Sequence, residues 1–195
     1  MTSTRLEAFS DAVIAVIITI MVLEIKAPHE AITLASLKPL LSTFISYILS
    51  FVFVGLYWNN HHHLLQTAKK VNGKILWANL HLLFWLSLIP FFTSLMDESN
   101  FSTWPVALYG VDLLFAAIAY HILTRALISY HGKDSLLAKA HGHGIKEISS
   151  IFLYMIAIIL AFYCSIISYV LYIVVAAIWL IPDRRIETCL DKERN

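Results

Sequence analysis

The ionisable and hydrogen-bonding side chains that could take part in chemistry lie inside or at the ends of long apolar runs. Arg5 precedes the first run, which contains Ser10 and Asp11. The second run ends in a polar stretch: Trp58, Asn59, Asn60, His61, His62 and His63. An ionisable group near the interior of a bilayer costs about 2.5–3.5 kcal/mol, so each must find a partner. We therefore predict a packed polar network between the two stretches, in which Asp11 ties helices together without touching a substrate.

Catalytic motifs are absent from the sequence. It has no GxSxG, Walker, HExxH or Rossmann pattern, so neither nucleophilic nor nucleotide chemistry has a candidate residue. Among the nine histidines, His61, His62 and His63 are consecutive and cannot share one helical face, and no spacing matches a zinc or di-iron pattern. Cys164 and Cys189 are interpreted as packing residues. We expect no enzymatic activity, no metal site and no cofactor.

Composition places the chain in a membrane. It is 59% hydrophobic and 14% charged, with a mean hydropathy of +0.74, whereas soluble domains are about 45–50% apolar and about 25% charged. A net charge of +1 with no basic stripe argues against binding to nucleic acid. The sequence therefore predicts an all-α integral membrane protein.

The apolar runs have the length of membrane spans, roughly 20 residues each. The final run, residues 148–181, would extend about 50 Å as one helix, and the polar stretch at Tyr163 and Cys164 lies near its middle. It is interpreted as a hairpin of two short helices, and residues 61–74 as a loop. The prediction is one domain, residues 1–195, with spans at about 6–25, 37–58, 75–96, 104–128, 148–163 and 166–181.

The basic residues define an orientation for six spans. If the N-terminus is cytoplasmic, twelve of the fourteen Lys and Arg residues face the cytoplasm, as the positive-inside rule requires. They are Arg5, Lys69, Lys70, Lys74, Arg125, Lys133, Lys139, Lys146, Arg184, Arg185, Lys192 and Arg194. We expect a multi-pass protein of the cell membrane with both termini in the cytoplasm.

One face of the first span is an apolar stripe. Its members recur at helical spacing: Ala12, Val16, Thr19, Ile20 and Leu23. Asp11 lies about 140° from Val16 at about 100° per residue, so the carboxylate and the stripe have different neighbours. From spacing alone, the stripe could be a helix-packing face.

Two stretches carry a resemblance to a known family. They are RxxxFSD at Arg5, Phe9, Ser10 and Asp11, followed by the TxxVLE-like run of residues 19–24, and the stretch YWNNHH at residues 57–62. Both resemble the signature of the lysosomal potassium channel family, transmembrane protein 175, in its short prokaryotic form. Together with the six spans, the resemblance covers essentially the whole chain. Like that family, the sequence lacks the TVGYG filter of ordinary potassium channels.

The resemblance implies a homotetramer with a central pore lined by the first helix of each subunit. It implies that Val16 stands at the narrow point, that Thr19 forms a hydroxyl layer contributing to potassium preference, and that Ile20 and Leu23 lie along the same wall. Val16 is smaller than the isoleucine or leucine that the family often has, so the constriction is either wider or shared with Ile20. The motif residues implied to anchor the pore helix are Arg5, Phe9, Ser10, Asp11, Trp58, Asn59 and His61.

The leading hypothesis is a passive potassium-selective channel, with potassium, the bilayer and further copies of the chain as its partners. Two alternatives stay open. One is a proton-coupled carrier that uses Asp11 and a histidine as a relay, and the other is a membrane scaffold that conducts nothing.

Overall fold

The fold is entirely helical in the part of the chain that the structure describes. This computed structural model describes residues 3–25, 34–68, 70–132, 135, 137, 138 and 144–180. These residues form six long helices, in agreement with the predicted class. They are α1 (Ser3–Leu23), α2 (Leu34–Gln66), α3 (Gly73–Glu98), α4 (Thr103–His131), α5 (Ile145–Ala161) and α6 (Ser165–Leu180).

Four of these helices are long and apolar enough to cross a membrane. They comprise Ser3–Leu23, Leu40–Gln66, Gly73–Glu98 and Thr103–His131. The other two are shorter, with 17 residues in α5 and 16 in α6. A turn at Phe162 and Tyr163 separates them, so the last apolar run is two helices. Because several helices have the length and apolar composition of membrane spans, the chain is a multi-pass membrane protein.

The prediction of a loop over residues 61–74 is wrong in its first part, because α2 continues to Gln66. The polar residues Asn59 to Gln66 are therefore helical. Asn60 donates its side-chain amide to the Leu56 carbonyl at 2.7 Å, and His61 is fully buried. The loop is short and ends at Asn72, whose side chain caps α3 by accepting from the Ile75 amide at 3.0 Å.

The helices differ in how many neighbours they contact. α4 lies in the middle of the bundle and packs against α3, α5 and α6, whereas α1 packs against α2 and α3. Small buried residues on α4, including Gly110 and Ala116, allow neighbouring helices to approach closely. α1 is therefore an edge helix, and part of its surface contacts no other helix in the described part of the subunit.

Gly110 provides a test of the contact between α4 and α6. A Cβ atom at this position would lie 2.1 Å from the Tyr172 hydroxyl oxygen, and that hydroxyl donates to the Val106 carbonyl at 3.0 Å. Gly110→Ala would displace the buried ring and is expected to lower the free energy of unfolding by about 1–3 kcal/mol, the usual cost of overpacking. Thermal unfolding of the detergent-purified protein measures this.

Gly55→Ala is the matched control, because nothing lies within 4 Å of its added Cβ. This variant should unfold at or slightly above the wild-type temperature, since alanine favours the helix. Equal unfolding temperatures for the two variants would contradict the close contact at Gly110.

Candidate functional site

α1 presents two faces with different surroundings. Its buried residues are Leu6, Ser10, Ile14, Ile17 and Met21. The members of the predicted stripe, Ala12, Val16, Thr19, Ile20 and Leu23, are all exposed in the single subunit. The exposed fraction is 54% for Val16 and 74% for Leu23. The stripe is therefore not packed against the described residues of this subunit, which leaves it available to lipid, another subunit or a pore.

Thr19 is the polar member of the stripe. Its hydroxyl donates to the Val16 carbonyl of its own helix at 2.9 Å. Because the single hydroxyl proton is used within the helix, the oxygen lone pairs stay available on the exposed side. The side chain is thus an oxygen acceptor on an otherwise apolar face, which suits a cation better than an anion.

A groove runs beside the stripe, between α1 and α3. Its volume is about 620 Å³, and its lining includes Phe9, Val16 and Ile20 from α1 and Pro90 and Phe91 from α3. Glu24 and Glu98 contribute carboxylates at one end of the same groove. Carboxylates at the mouth of an apolar channel raise the local concentration of cations.

A buried chain of hydrogen bonds lies on the opposite face of α1. The Asn79 amide of α3 donates to the Ser10 hydroxyl at 2.9 Å, and Ser10 donates to the Leu6 carbonyl at 2.8 Å. The other end of Asn79, Oδ1, lies 2.7 Å from Nε2 of His61 on α2. Ser10, Asn79 and His61 are all fully buried. One polar cluster therefore joins three helices inside the subunit.

A second, half-exposed network lies at the same end of α1. The Trp58 indole donates to Asp11 Oδ1 at 3.0 Å, and the Trp58 ring stacks on His62 with centroids 5.9 Å apart. Nδ1 of His62 lies 2.9 Å from Glu7 Oε1. The predicted network between the first span and the end of the second is present, and in it Asp11 accepts from Trp58 and from none of the described histidines.

The remaining motif residues make fewer contacts. Arg5 and Asn59 are exposed, and neither forms an ion pair or side-chain hydrogen bond with another described residue. Phe9 is 49% exposed and lies against the groove. The structure therefore brings Ser10, Asp11, Trp58 and His61 into contacts between helices, and leaves Arg5, Phe9 and Asn59 on the surface of the subunit.

Comparisons with known proteins agree with the motifs. The model of the family described as endosomal/lysosomal potassium channel TMEM175 matches residues 5–90. A potassium channel of Chryseobacterium sp. (strain P1-3) is 55% identical over 190 residues, which cover 97% of this chain and 98% of that relative. The chain belongs to the TMEM175 family. The matched residues contain α1, α2 and most of α3, the three helices that carry the site.

Two further comparisons involve Chamaesiphon minutus. A potassium channel of this organism is 31% identical over 172 residues, which cover 81% of this chain and 83% of the relative. The crystal structure of a lysosomal potassium-selective channel TMEM175 homolog from the same organism matches with a TM-score of 0.80 and 27% identity. The match covers 93% of this chain and 97% of that one. The fold of this chain is therefore the TMEM175 fold over nearly its full length.

Sequence reasoning missed Asn79, the central residue of the buried chain. The signal was available, because an amide inside the apolar run of the third span requires a partner. It also missed the pairing of Glu7 with His62, since Glu7 occupies one of the unspecified positions of RxxxFSD. Both contacts join residues far apart in the sequence, so their partners could not be chosen from the pattern.

Asn79 gives the second test of packing. Asn79→Ala removes the partner of His61 Nε2, and His61 Nδ1 already has no hydrogen-bond partner among the described residues. A buried polar group left without a partner costs about 1–3 kcal/mol, so the unfolding temperature should fall clearly. Asn59→Ala is the control, because this exposed amide lies on α2 outside the buried chain. An unchanged stability of Asn79→Ala would show that the chain does not hold the helices together.

Proposed function

We propose that this protein is a potassium-selective channel that conducts passively across the cell membrane. The observation that carries the proposal is the exposed stripe of α1, an apolar face with one threonine on an edge helix. Membership of the TMEM175 family supports it, as do the two bacterial relatives from Chryseobacterium sp. and Chamaesiphon minutus, which are potassium channels. The family is one of ion channels, which is not a class of enzymes, and conduction of potassium requires no cofactor.

The pore is formed by several subunits. A helix about 10 Å across cannot enclose a pore by itself, so α1 can line one only where copies meet around an axis. α1 contacts α2 and α3 within the subunit, which leaves its stripe free to face that axis. We propose a homotetramer with four copies of α1 around a central pore.

The gate is a set of apolar rings. Val16, Ile20 and Leu23 lie on one side of α1 and are all exposed in the subunit. Rings of such side chains close a pore by expelling water, without a moving plug. Because Val16 is small, Ile20 shares the constriction with it.

Thr19 provides the potassium preference. A ring of four hydroxyl oxygens can replace part of the hydration shell of an ion, and potassium sheds water more easily than sodium. The intrahelical bond to the Val16 carbonyl orients each hydroxyl so that its lone pairs face the axis. Selectivity then arises from the cost of dehydration, without a backbone carbonyl filter.

The proposed orientation places both termini in the cytoplasm. The polar networks around Ser10 and Asp11 are then at the cytoplasmic end of α1, and Glu24 and Glu98 are at the outer end of the groove. The first network anchors α1 to α2 and α3, while the outer carboxylates attract cations. Anchoring and conduction are thus assigned to different faces of one helix.

Potassium flux across liposome membranes tests the proposed function. Purified protein in potassium-loaded liposomes should carry potassium down its gradient, with a reversal potential near the potassium equilibrium value. Strict dependence on a proton gradient would contradict the proposal and support a proton-coupled carrier. Absence of any flux would contradict it in favour of a membrane scaffold.

A further inference from the structure

Three metal-ligating side chains meet where α1 begins and α2 ends. Glu7 and Asp11 stand one turn apart on α1, and His62 reaches them from α2. Each offers one ligand atom, and these three atoms all lie within 4.8 Å of one another. None of the three residues is exposed, and the side chains of His62 and Glu7 keep 31% and 19% of their surface accessible. The cluster is therefore formed by two helices and open enough for an ion to enter.

Two members of this cluster, Glu7 and Asp11, are acidic. Among the residues that the structure describes, no Lys or Arg pairs with either. Trp58 donates to Oδ1 of Asp11, which leaves Oδ2 of that carboxylate for a further ligand. Nδ1 of His62 lies 2.9 Å from Glu7 but is shielded from solvent and has no hydrogen bond of good geometry. Two carboxylates and one imidazole nitrogen thus converge on one point.

We propose that Glu7, Asp11 and His62 bind a first-row divalent transition metal ion in each subunit. Imidazole is a ligand for zinc, iron, nickel and copper, whereas magnesium and calcium prefer oxygen alone. Three protein ligands with water in the remaining position make a complete tetrahedral site. The site is at the proposed cytoplasmic end of α1, away from the Thr19 layer.

Gln66 contacts Nε2 of His62, the ring nitrogen that does not face the cluster. Its side-chain nitrogen lies 2.8 Å from Nε2 of His62. A metal at Nδ1 requires the proton at Nε2, so the Gln66 amide turns over and accepts this proton through its oxygen. Gln66 is thus a positioning residue for the ligand His62, and the sequence pattern His62-x-x-x-Gln66 places both on one face of α2.

The ion would join α1 to α2 beside the Trp58 contact. A metal that binds the folded state and not the unfolded state raises stability by mass action. Micromolar zinc should therefore raise the unfolding temperature of the protein. This effect, like the binding itself, is independent of whether the protein conducts potassium.

Cobalt titration of the full chain in detergent tests the site. The protein for this titration is prepared without an affinity tag, and in every variant Cys164 and Cys189 are replaced by serine so that their thiols do not bind the metal. Visible absorption of Co²⁺ should saturate at one ion per subunit, and Zn²⁺ should displace it. Glu7→Gln, Asp11→Asn and His62→Asn should each weaken binding by about 100-fold, and Gln66→Leu by about 10-fold, within the range typical of lost outer partners.

The controls separate ligation from folding. Asp11→Asn keeps the oxygen that accepts from Trp58, so its unfolding temperature without metal should equal that of the parent. His62→Cys should retain binding and add a sulfur charge-transfer band. His81→Asn on α3 should bind Co²⁺ like the parent, because His81 does not belong to the cluster.

Two results would overturn the proposal. One is that neither Co²⁺ nor Zn²⁺ binds saturably at concentrations up to about 1 mM. A dissociation constant above that value would be far weaker than those of protein transition-metal sites. The other is full binding by His62→Asn and Glu7→Gln, which would place the ion elsewhere. Since no step of the titration measures potassium, failure here and failure of the proposed channel function are distinguishable.

Discussion

Val16→Asn is expected to raise the basal potassium conductance by about tenfold or more. The expectation follows from the proposed dewetting gate, in which the exposed Val16 side chains of four subunits exclude water from the axis. An amide at the same position holds water by hydrogen bonds, and lowering the barrier by about 1.4 kcal/mol corresponds to a factor of ten. Single-channel recording in planar bilayers measures open probability and conductance separately.

Val22→Asn is the matched control for this prediction. Val22 has the same side chain, lies on the same helix and is 47% exposed, but it stands about 120° around α1 from Val16. Its replacement should leave the conductance near the wild-type value. If Val16→Asn conducts like the wild type, or if both variants conduct equally more, Val16 does not line the gate.

Thr19→Val should lower the preference for potassium over sodium by about fivefold, or about 1 kcal/mol. Valine matches the shape of threonine and removes only the hydroxyl, which in the structure donates to Val16 and exposes its oxygen. Without that oxygen, an ion at this depth loses a substitute for its hydration water. Reversal potentials under bi-ionic potassium and sodium gradients give the permeability ratio directly.

Thr19→Ser separates the hydroxyl from the packing of the side chain. Serine keeps the oxygen and loses a methyl group, so its permeability ratio should stay close to that of the wild type. Size-exclusion chromatography should show the same oligomer for both variants. A permeability ratio unchanged by Thr19→Val would remove the hydroxyl from the selectivity mechanism.

The sequence allowed the prediction of six helices because helices in a membrane are specified locally. Each apolar run must cross about 30 Å and must satisfy its own backbone hydrogen bonds, so length and composition determine the element. The break at residues 162–163 was predictable for the same reason, since the last run was too long for one crossing. Helical spacing places Val16 and Ile20 on one side of α1, but it does not determine whether that side is packed or exposed.

The contacts that join the helices could not be predicted in the same way. The bond from Asn79 to Ser10 joins residues on α1 and α3, and the pairing of Glu7 with His62 joins α1 to α2. Both depend on how the helices are rotated against each other, which periodicity does not determine. The extension of α2 to Gln66 was not predicted either, because the polar composition of residues 59–66 is typical of a loop.

These contacts give α1 a fixed rotation within the subunit. Ser10 and Asp11 hold its buried side to α3 and α2 through Asn79 and Trp58. The opposite side, with Val16 and Thr19, is therefore held outward. The polar motif and the apolar stripe act together, since anchoring one face determines where the other face points.

A density map of the purified oligomer in lipid tests the central claim most directly. The account predicts four subunits with α1 nearest the axis, with the side chains of Val16, Thr19 and Ile20 facing it and those of Ser10 facing away. A map in which α1 faces lipid, while another helix surrounds the axis, would contradict the account.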